Sequence, residues 1–217
     1  MASRPQEKLQ FAQIVERQPV REQTASEVFE DTNLVVAARD GDREAFGRLY
    51  DRYARMVHGV LLAKIPVSDV DDLVQDVFIL ALRRLSSLRE PGSFGAWLAA
   101  IARNRAADYH RRAIPEDPME DETLDQGESG KGSERHREHQ SENQEGRAAL
   151  DMLRTLPDVY RETLILRLVE GMTGPEIAAR TGMTHGSVRV NLHRGMQQLR
   201  AKLSLLSGRK GTEEGKA

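Results

Sequence analysis

The sequence predicts an all-α protein built as two small helical domains joined by a flexible acidic linker. Three observations lead there. Apolar residues recur at spacings of three and four in two stretches, 32–112 and 143–206, and no strand-like alternation occurs anywhere. The composition is rich in Leu, Ala, Arg and Glu with aromatics at 5%, which favours helices over sheets. Between the two stretches, residues 113–142 hold ten acidic residues against three basic ones, Lys131, Arg135 and Arg137, together with prolines and glycines. Such a segment buries too little apolar surface to offset its ordering entropy, and its like charges push it open.

Taken in order, residues 1–31 mix charges, glutamines, Pro5 and Pro19, and are expected to be a mobile extension. Leu34, Val35 and Ala38 form an apolar stripe that ends at "DGD". Phe46, Leu49, Tyr53, Met56, Val57, Val60 and Leu61 form the next, closed by Pro66. Ser68, followed by Asp69, Asp71 and Asp72, predicts a helix start, because a side-chain cap and acidic residues suit the positive end of a helix. That helix is expected over 69–86, with Leu73, Val77, Leu80 and Ala81 inward. After the loop "SSLREPG", a further helix is expected from Ser93 to Arg112, with Phe94, Trp97, Leu98 and Ile101 as its apolar seam. The second domain, 143–206, begins with a helix stopping before Pro157 and continues through "PDVYRETLILRLVEG", where Gly171 marks a helix end. A short helix over 175–180 and a longer one after Thr184 complete it, and 207–217 is read as a tail.

Several function classes drop out at once. The chain has 217 residues and no cysteine, which removes disulfides, thiol catalysis and thiolate-held zinc. No apolar run approaches the ~18 residues of a membrane span, and the N-terminus lacks a signal-peptide core, so a cytoplasmic protein without membrane insertion is expected. Asp69, Asp71, Asp72 and Asp76 do not converge on one point along a helix, no Gly-rich phosphate loop accompanies them, and "HREH" at 136–139 sits in the linker. No metal, no cofactor and no catalytic residue is expected. The net charge of −2 conceals a sharp segregation of sign.

The segment "EIAARTGMTHGSVRVNLHRG", 176–195, has the form short helix, tight turn at Gly182, longer helix. On the longer helix Val188, Leu192, Met196, Leu199 and Leu203 make one buried seam, while Arg189, Val190, His193, Arg194 and Gln197 lie away from it. From Thr184 to Leu203 there are four cations, Arg189, Arg194, Arg200 and Lys202, and no acid. An ordinary core helix with a solvated basic face would share the charge. The turn and the acid-free face together favour a helix lying in a DNA major groove.

"LPDVYRETLILRLVEGMTGPEIAARTGMTHGSVRVNLHRGMQQLRAKL" resembles the C-terminal promoter-binding domain, region 4, of bacterial sigma factors. "DVDDLVQDVFILALRRL" with "SFGAWLAAIARNRAADYHRR" resembles their region 2. Only these two domains are present, in the right order, which is similar to the extracytoplasmic-function (ECF) subfamily of the sigma-70 family. The resemblance implies a dissociable specificity subunit that binds core RNA polymerase, recognises the −35 and −10 promoter elements and promotes melting, without enzymatic activity of its own. It implies docking of Asp72, Gln75 and Asp76 on the beta-prime clamp helices, with the beta subunit, promoter DNA and an anti-sigma factor as further partners. It implies that Leu88, in a base pocket formed by Ser86 to Gly92, joins Trp97, Arg103, Asn104, Arg105, Tyr109, Arg111 and Arg112 at the −10 element. Aromatic and amide side chains suit unstacked bases, and arginines track the backbone. His185, Ser187, Arg189, Val190, His193 and Arg194 would meet the −35 element. Gly195 replaces a better helix former, and Asn191 stands where a basic residue is common. A stand-alone helix-turn-helix regulator would leave the 69–85 surface and the 86–112 block without a purpose, and a metal-dependent nucleic-acid enzyme lacks its ligands.

Overall fold

The computed structural model describes residues 25–113 and 146–213, and every regular element among them is helical. The N-terminal extension up to residue 24, the acidic linker after Ala113, "HREH" and the last four residues lie outside the described residues. Helix α1 (Ala25–Arg39) starts ahead of the boundary expected at residue 32, so 25–31 are helical. It ends at Gly41, whose φ of 98° lets the chain reverse. Asp42 then caps α2 (Arg43–Leu62), its carboxylate accepting from the Glu44 and Ala45 amides at 2.9 and 3.1 Å. Leu49, Tyr53, Met56, Val57, Val60 and Leu61 are buried on α2 at the spacings that the sequence predicts.

Helix α3 (Val67–Arg84) differs at its start. Pro66 occupies the cap position without a side-chain bond, and Ser68 donates to the neighbouring Asp69 instead of capping. Proline's fixed φ starts the helix two residues earlier than a serine cap would. Val70, Val74, Val77, Phe78 and Ala81 face inward, while Leu73 and Leu80 stay half-buried. Two single 3₁₀ turns, Leu85–Ser87 and Pro91–Ser93, carry the chain into α4 (Phe94–Ala113). Phe94 meets Tyr53 edge-on at 5.2 Å, and Leu98, Ala99, Ala102 and Ala106 are fully buried. Burying each large side chain contributes roughly 1.5–3 kcal/mol.

The second half comprises α5 (146–154), α6 (Asp158–Leu168), α7 (Gly174–Thr181) and α8 (His185–Glu213), so 207–213 continue a helix where a tail was expected. The two halves do not stand apart. One continuous apolar cluster runs from Leu34 to Leu199, with α6 lying between α2 and α8. Consecutive residues Glu162 to Leu166 are all buried, which a helix with one solvent face cannot achieve.

Candidate nucleic-acid interface

The turn that presents α8 is locally over-determined. Thr173 and Glu176 form a capping box at the start of α7: the Thr173 amide and hydroxyl both donate to the Glu176 carboxylate at 2.8 Å. Burial pushes the Glu176 carboxyl up, but those bonds and the nearby Arg180 and Arg55 hold it below the usual range. Gly182 ends α7 at φ 75°, and the Thr184 hydroxyl accepts from the Ser187 amide at 3.1 Å to open α8. Val188 and Leu199 are buried and Leu192 and Met196 half-buried, giving the seam. Leu203 departs from it at 45% exposed, although its neighbour Lys202 still donates to the Thr155 hydroxyl at 2.9 Å.

His185, Ser187, Arg189, Val190, His193 and Arg194 are all exposed; His185 is the first residue of α8, in phase with the seam, and Val190, His193 and Arg194 stand on the side turned away from it. Gly195 acquires a reason. A Cβ there would lie 2.8 Å from Leu164 Cδ1 and 3.1 Å from Tyr160 Cβ, so its absence lets α8 press onto α6. Asn191 is half-buried, its amide 3.5 Å from the Thr163 hydroxyl of the same helix α6. These contacts fix the roll of α8 and hence which residues face outward.

On the first half, Asp72, Gln75 and Asp76 are exposed along α3, flanked by Ile79 and Leu82, each about half exposed. Asp76 is not isolated: it accepts from Arg105 of α4 at 2.8 Å. Tyr109 donates to Asp69, a second tie between α3 and α4, and that bond holds the Asp69 carboxyl below its usual range. Beyond the Asp76–Arg105 tie, toward the end of α3, lies a cleft of about 210 Å³ lined by Leu80, Arg84, Ile101, Asn104, Arg105 and Asp108. Asn104, Arg111 and Arg112 are exposed, and Arg111 pairs with Asp108. Trp97 is half-buried, its ring 5.9 Å from Phe94.

Two expected −10 residues are placed otherwise. Leu88 is 6% exposed and turned into the core, since its amide closes the 3₁₀ turn on the Leu85 carbonyl and its apolar side chain follows Leu85 inward. The outward residues of that loop are Ser86, Ser87, Arg89, Glu90 and Gly92. Arg103 faces the second half, where it grips Glu162: Nη2 donates to Oε1 at 2.7 Å and Nε lies 3.2 Å from both oxygens.

Sequence reasoning missed Glu162, Glu170 and Asp31. Glu170 accepts from His58 at 2.6 Å, and this bond raises the imidazole above its ordinary value despite partial burial, with Asp71 adding to the effect. Asp31 takes the Tyr53 hydroxyl at 2.6 Å and pairs with Arg52, and burial together with that carboxylate pushes the Tyr53 phenol far up. The one available signal was "TLILRLVE", apolar on every side of a helix. Among the described residues no group of three His, Cys, Asp or Glu could hold a metal ion, and no helix is long and apolar enough to cross a membrane.

Comparison with known proteins covers the same parts of the chain. The Sigma-70 region 2 family matches residues 49–114, and the Sigma-70, region 4 family matches 146–199. The ECF RNA polymerase sigma factor BldN of Streptomyces coelicolor is 30% identical over 186 residues, covering 84% of this chain and 68% of that protein. The ECF RNA polymerase sigma-E factor of Escherichia coli K12 is 30% identical over 187 residues, covering 83% of this chain and 98% of the relative. Among solved structures, CnrH in complex with the cytosolic domain of CnrY superposes with a TM-score of 0.56 at 26% identity, covering 81% of this chain and 98% of that one.

Proposed function

This chain belongs to the ECF sigma factors of the sigma-70 family, and from that membership we propose that it binds core RNA polymerase, recognises −35 and −10 promoter elements and promotes melting. The observation that carries the reading is the face of α8. Six residues of types suited to base edges and phosphates stand exposed together on a helix whose roll is fixed by Gly195 and Thr163. Arg189, Val190 and His193 read the upstream element, with His185 and Ser187 at the helix start and Arg194 on phosphate. Asp72, Gln75 and Asp76 dock on the beta-prime clamp helices, and the exposed Ile79 and Leu82 beside them supply apolar area.

Asn104, at the cleft between α3 and α4, together with Arg105, Tyr109, Arg111 and Arg112, meets the separated strand of the −10 element, near Trp97. Phosphoryl transfer belongs to the polymerase; this chain supplies specificity and opening, in the cytoplasm. The CnrH structure contains a protein partner, the cytosolic domain of CnrY, which supports an anti-sigma partner for this chain too.

The test is transcription of pooled genomic fragments by core polymerase with and without the chain, with 5′ ends mapped. Defined start sites downstream of shared hexamers, present only when both proteins are added, are expected. Duplex binding with no core-dependent start sites would instead indicate a stand-alone regulator.

A further inference from the structure

We propose that α1 is the bed of the −10 loop, and that Arg39 is a positioning residue whose grip on the Leu85 carbonyl sets where Ser86, Ser87 and Arg89 stand toward an unstacked base. This rests on the proposed function in one respect, the assignment of the loop from Ser86 to Gly92 to the base pocket.

Helix α1 lies ahead of residue 49, where the region 2 match begins, and it holds none of the residues assigned above to DNA or polymerase. Its last residue, Arg39, reaches across 46 positions of sequence: Nε donates to the Leu85 carbonyl at 3.2 Å. The same oxygen accepts from the Leu88 amide at 3.2 Å, the bond that closes the first 3₁₀ turn. A carbonyl has two lone pairs, and here one shapes the turn while the other ties it to α1. Leu85 and Leu88 are buried on either side of Ser86 and Ser87, which turns the serines outward. Ser87 tightens the turn further, donating to the Arg84 carbonyl at 2.6 Å.

The far end of the loop rests on the same helix. Pro91–Ser93 forms the second turn, packed on α1 and closed by the Ser93 amide on the Glu90 carbonyl at 2.9 Å. A Cβ at Gly92 would lie 3.6 Å from Thr32 Oγ1, so the backbone there runs close above α1. Thr32 and Arg39 are about two helical turns apart and so share one face of α1. Both ends of the loop are therefore referred to one rigid element, and the exposed residues between them take their position from it.

A simpler role for Arg39 is a cation against the negative end of α3, which would contribute stability alone. The geometry favours the tie. Arg39 Nη2 is enclosed and has no partner among the described residues. An enclosed donor without an acceptor costs stability, which a purely stabilising residue would avoid. With that nitrogen enclosed, Arg39 acts on a strand through the loop rather than by touching it.

Two substitutions separate the donor from the charge. Glutamine carries Nε2 as many bonds from the backbone as arginine carries Nε, so Arg39→Gln keeps the donor and removes the charge. Arg39→Met keeps the stem and removes the donor. In the free full-length chain, hydrogen exchange across 85–93 should rise several-fold in Arg39→Met and stay at the parent's level in Arg39→Gln. Protection of α2 and α8 should be unchanged in both, which also shows that they fold.

With core polymerase and promoters randomised over the −10 element, Arg39→Met should flatten base preference at one position several-fold, and Arg39→Gln should keep it. The −35 preference should persist in both. Thr32→Leu, a better helix former that crowds Gly92 from the other anchor, should flatten the −10 preference as well. Loop exchange unchanged in Arg39→Met, or a −10 preference unmoved in both Arg39→Met and Thr32→Leu, would overturn the proposal. Equal losses in Arg39→Gln and Arg39→Met would overturn it too, since charge and not the tie would then carry the effect. Failure of the proposed function looks different: the parent itself gives no core-dependent start sites, while exchange still reports whether Arg39 holds the loop.

Discussion

Arg189 and Arg194 stand on the same exposed face of α8 with unlike tasks. Arg189 lies in the first turns, where a side chain reaches a base edge, and Arg194 lies where the nearest anion is phosphate. A bidentate base contact is worth about 1–3 kcal/mol of discrimination, and a phosphate contact weakens all sequences alike while lowering the salt slope by about one unit. Arg189→Ala should flatten preference at one or two positions of the upstream hexamer, and Arg194→Ala should lower affinity evenly. Binding of a randomised hexamer at several salt concentrations separates them, and equal losses of specificity and salt dependence would mean the helix is oriented differently. Asp76→Arg should sharply reduce co-purification with core polymerase; because it also breaks the Arg105 bond and opposes two cations, a thermal melt showing the fold retained accompanies the measurement. The exposed members of these sets were legible because solvent faces follow from helix period alone. Arg103 and Leu88 were not, because what they meet depends on a neighbouring element and a turn far from any local pattern.

Helix existence was legible almost throughout, for the apolar stripes on α2, α3, α4 and α8 repeat at three and four. Helix starts were less so. Ser68 has the right chemistry for a cap, yet Pro66 begins α3 first. The reciprocal Thr173–Glu176 box was readable as a threonine three residues ahead of a glutamate, and it anchors the element that aims α8. Thr173→Ala should cost about 1 kcal/mol, seen as a lower urea midpoint with unchanged slope. A rise in stability would show that the box is dispensable. Gly195→Ala sets a helix-propensity gain of about 1 kcal/mol against overpacking that typically costs 1–3 kcal/mol. With Leu164 fully buried at 2.8 Å, a net loss is expected in the same denaturation experiment.

Across the whole molecule, two matched sequence blocks fold into halves that share one core, and the polar seam between them was invisible in the sequence. Glu162 and Glu170 flank a run apolar on every side, which signals that α6 is covered from both faces but not which groups its acids meet there. His58 gives that seam a pH dependence. Its imidazole is raised by the Glu170 bond, with Asp71 adding to it and Arg55 lining the same groove. The pair's contribution to stability is therefore fully present below the ordinary imidazole value, about 6.5, and is lost as pH rises through the raised one. The urea midpoint followed from pH 5.5 to 9 should fall in the parent and lose that part of its slope in His58→Gln. The most direct measurement of the central claim is permanganate reactivity of thymines near a start site mapped with this chain and core polymerase. Reactivity that requires both proteins, and that Asn104→Ala reduces while duplex binding persists, is the predicted result. Thymines that stay unreactive with both proteins present, or that become reactive with the chain alone, would contradict it.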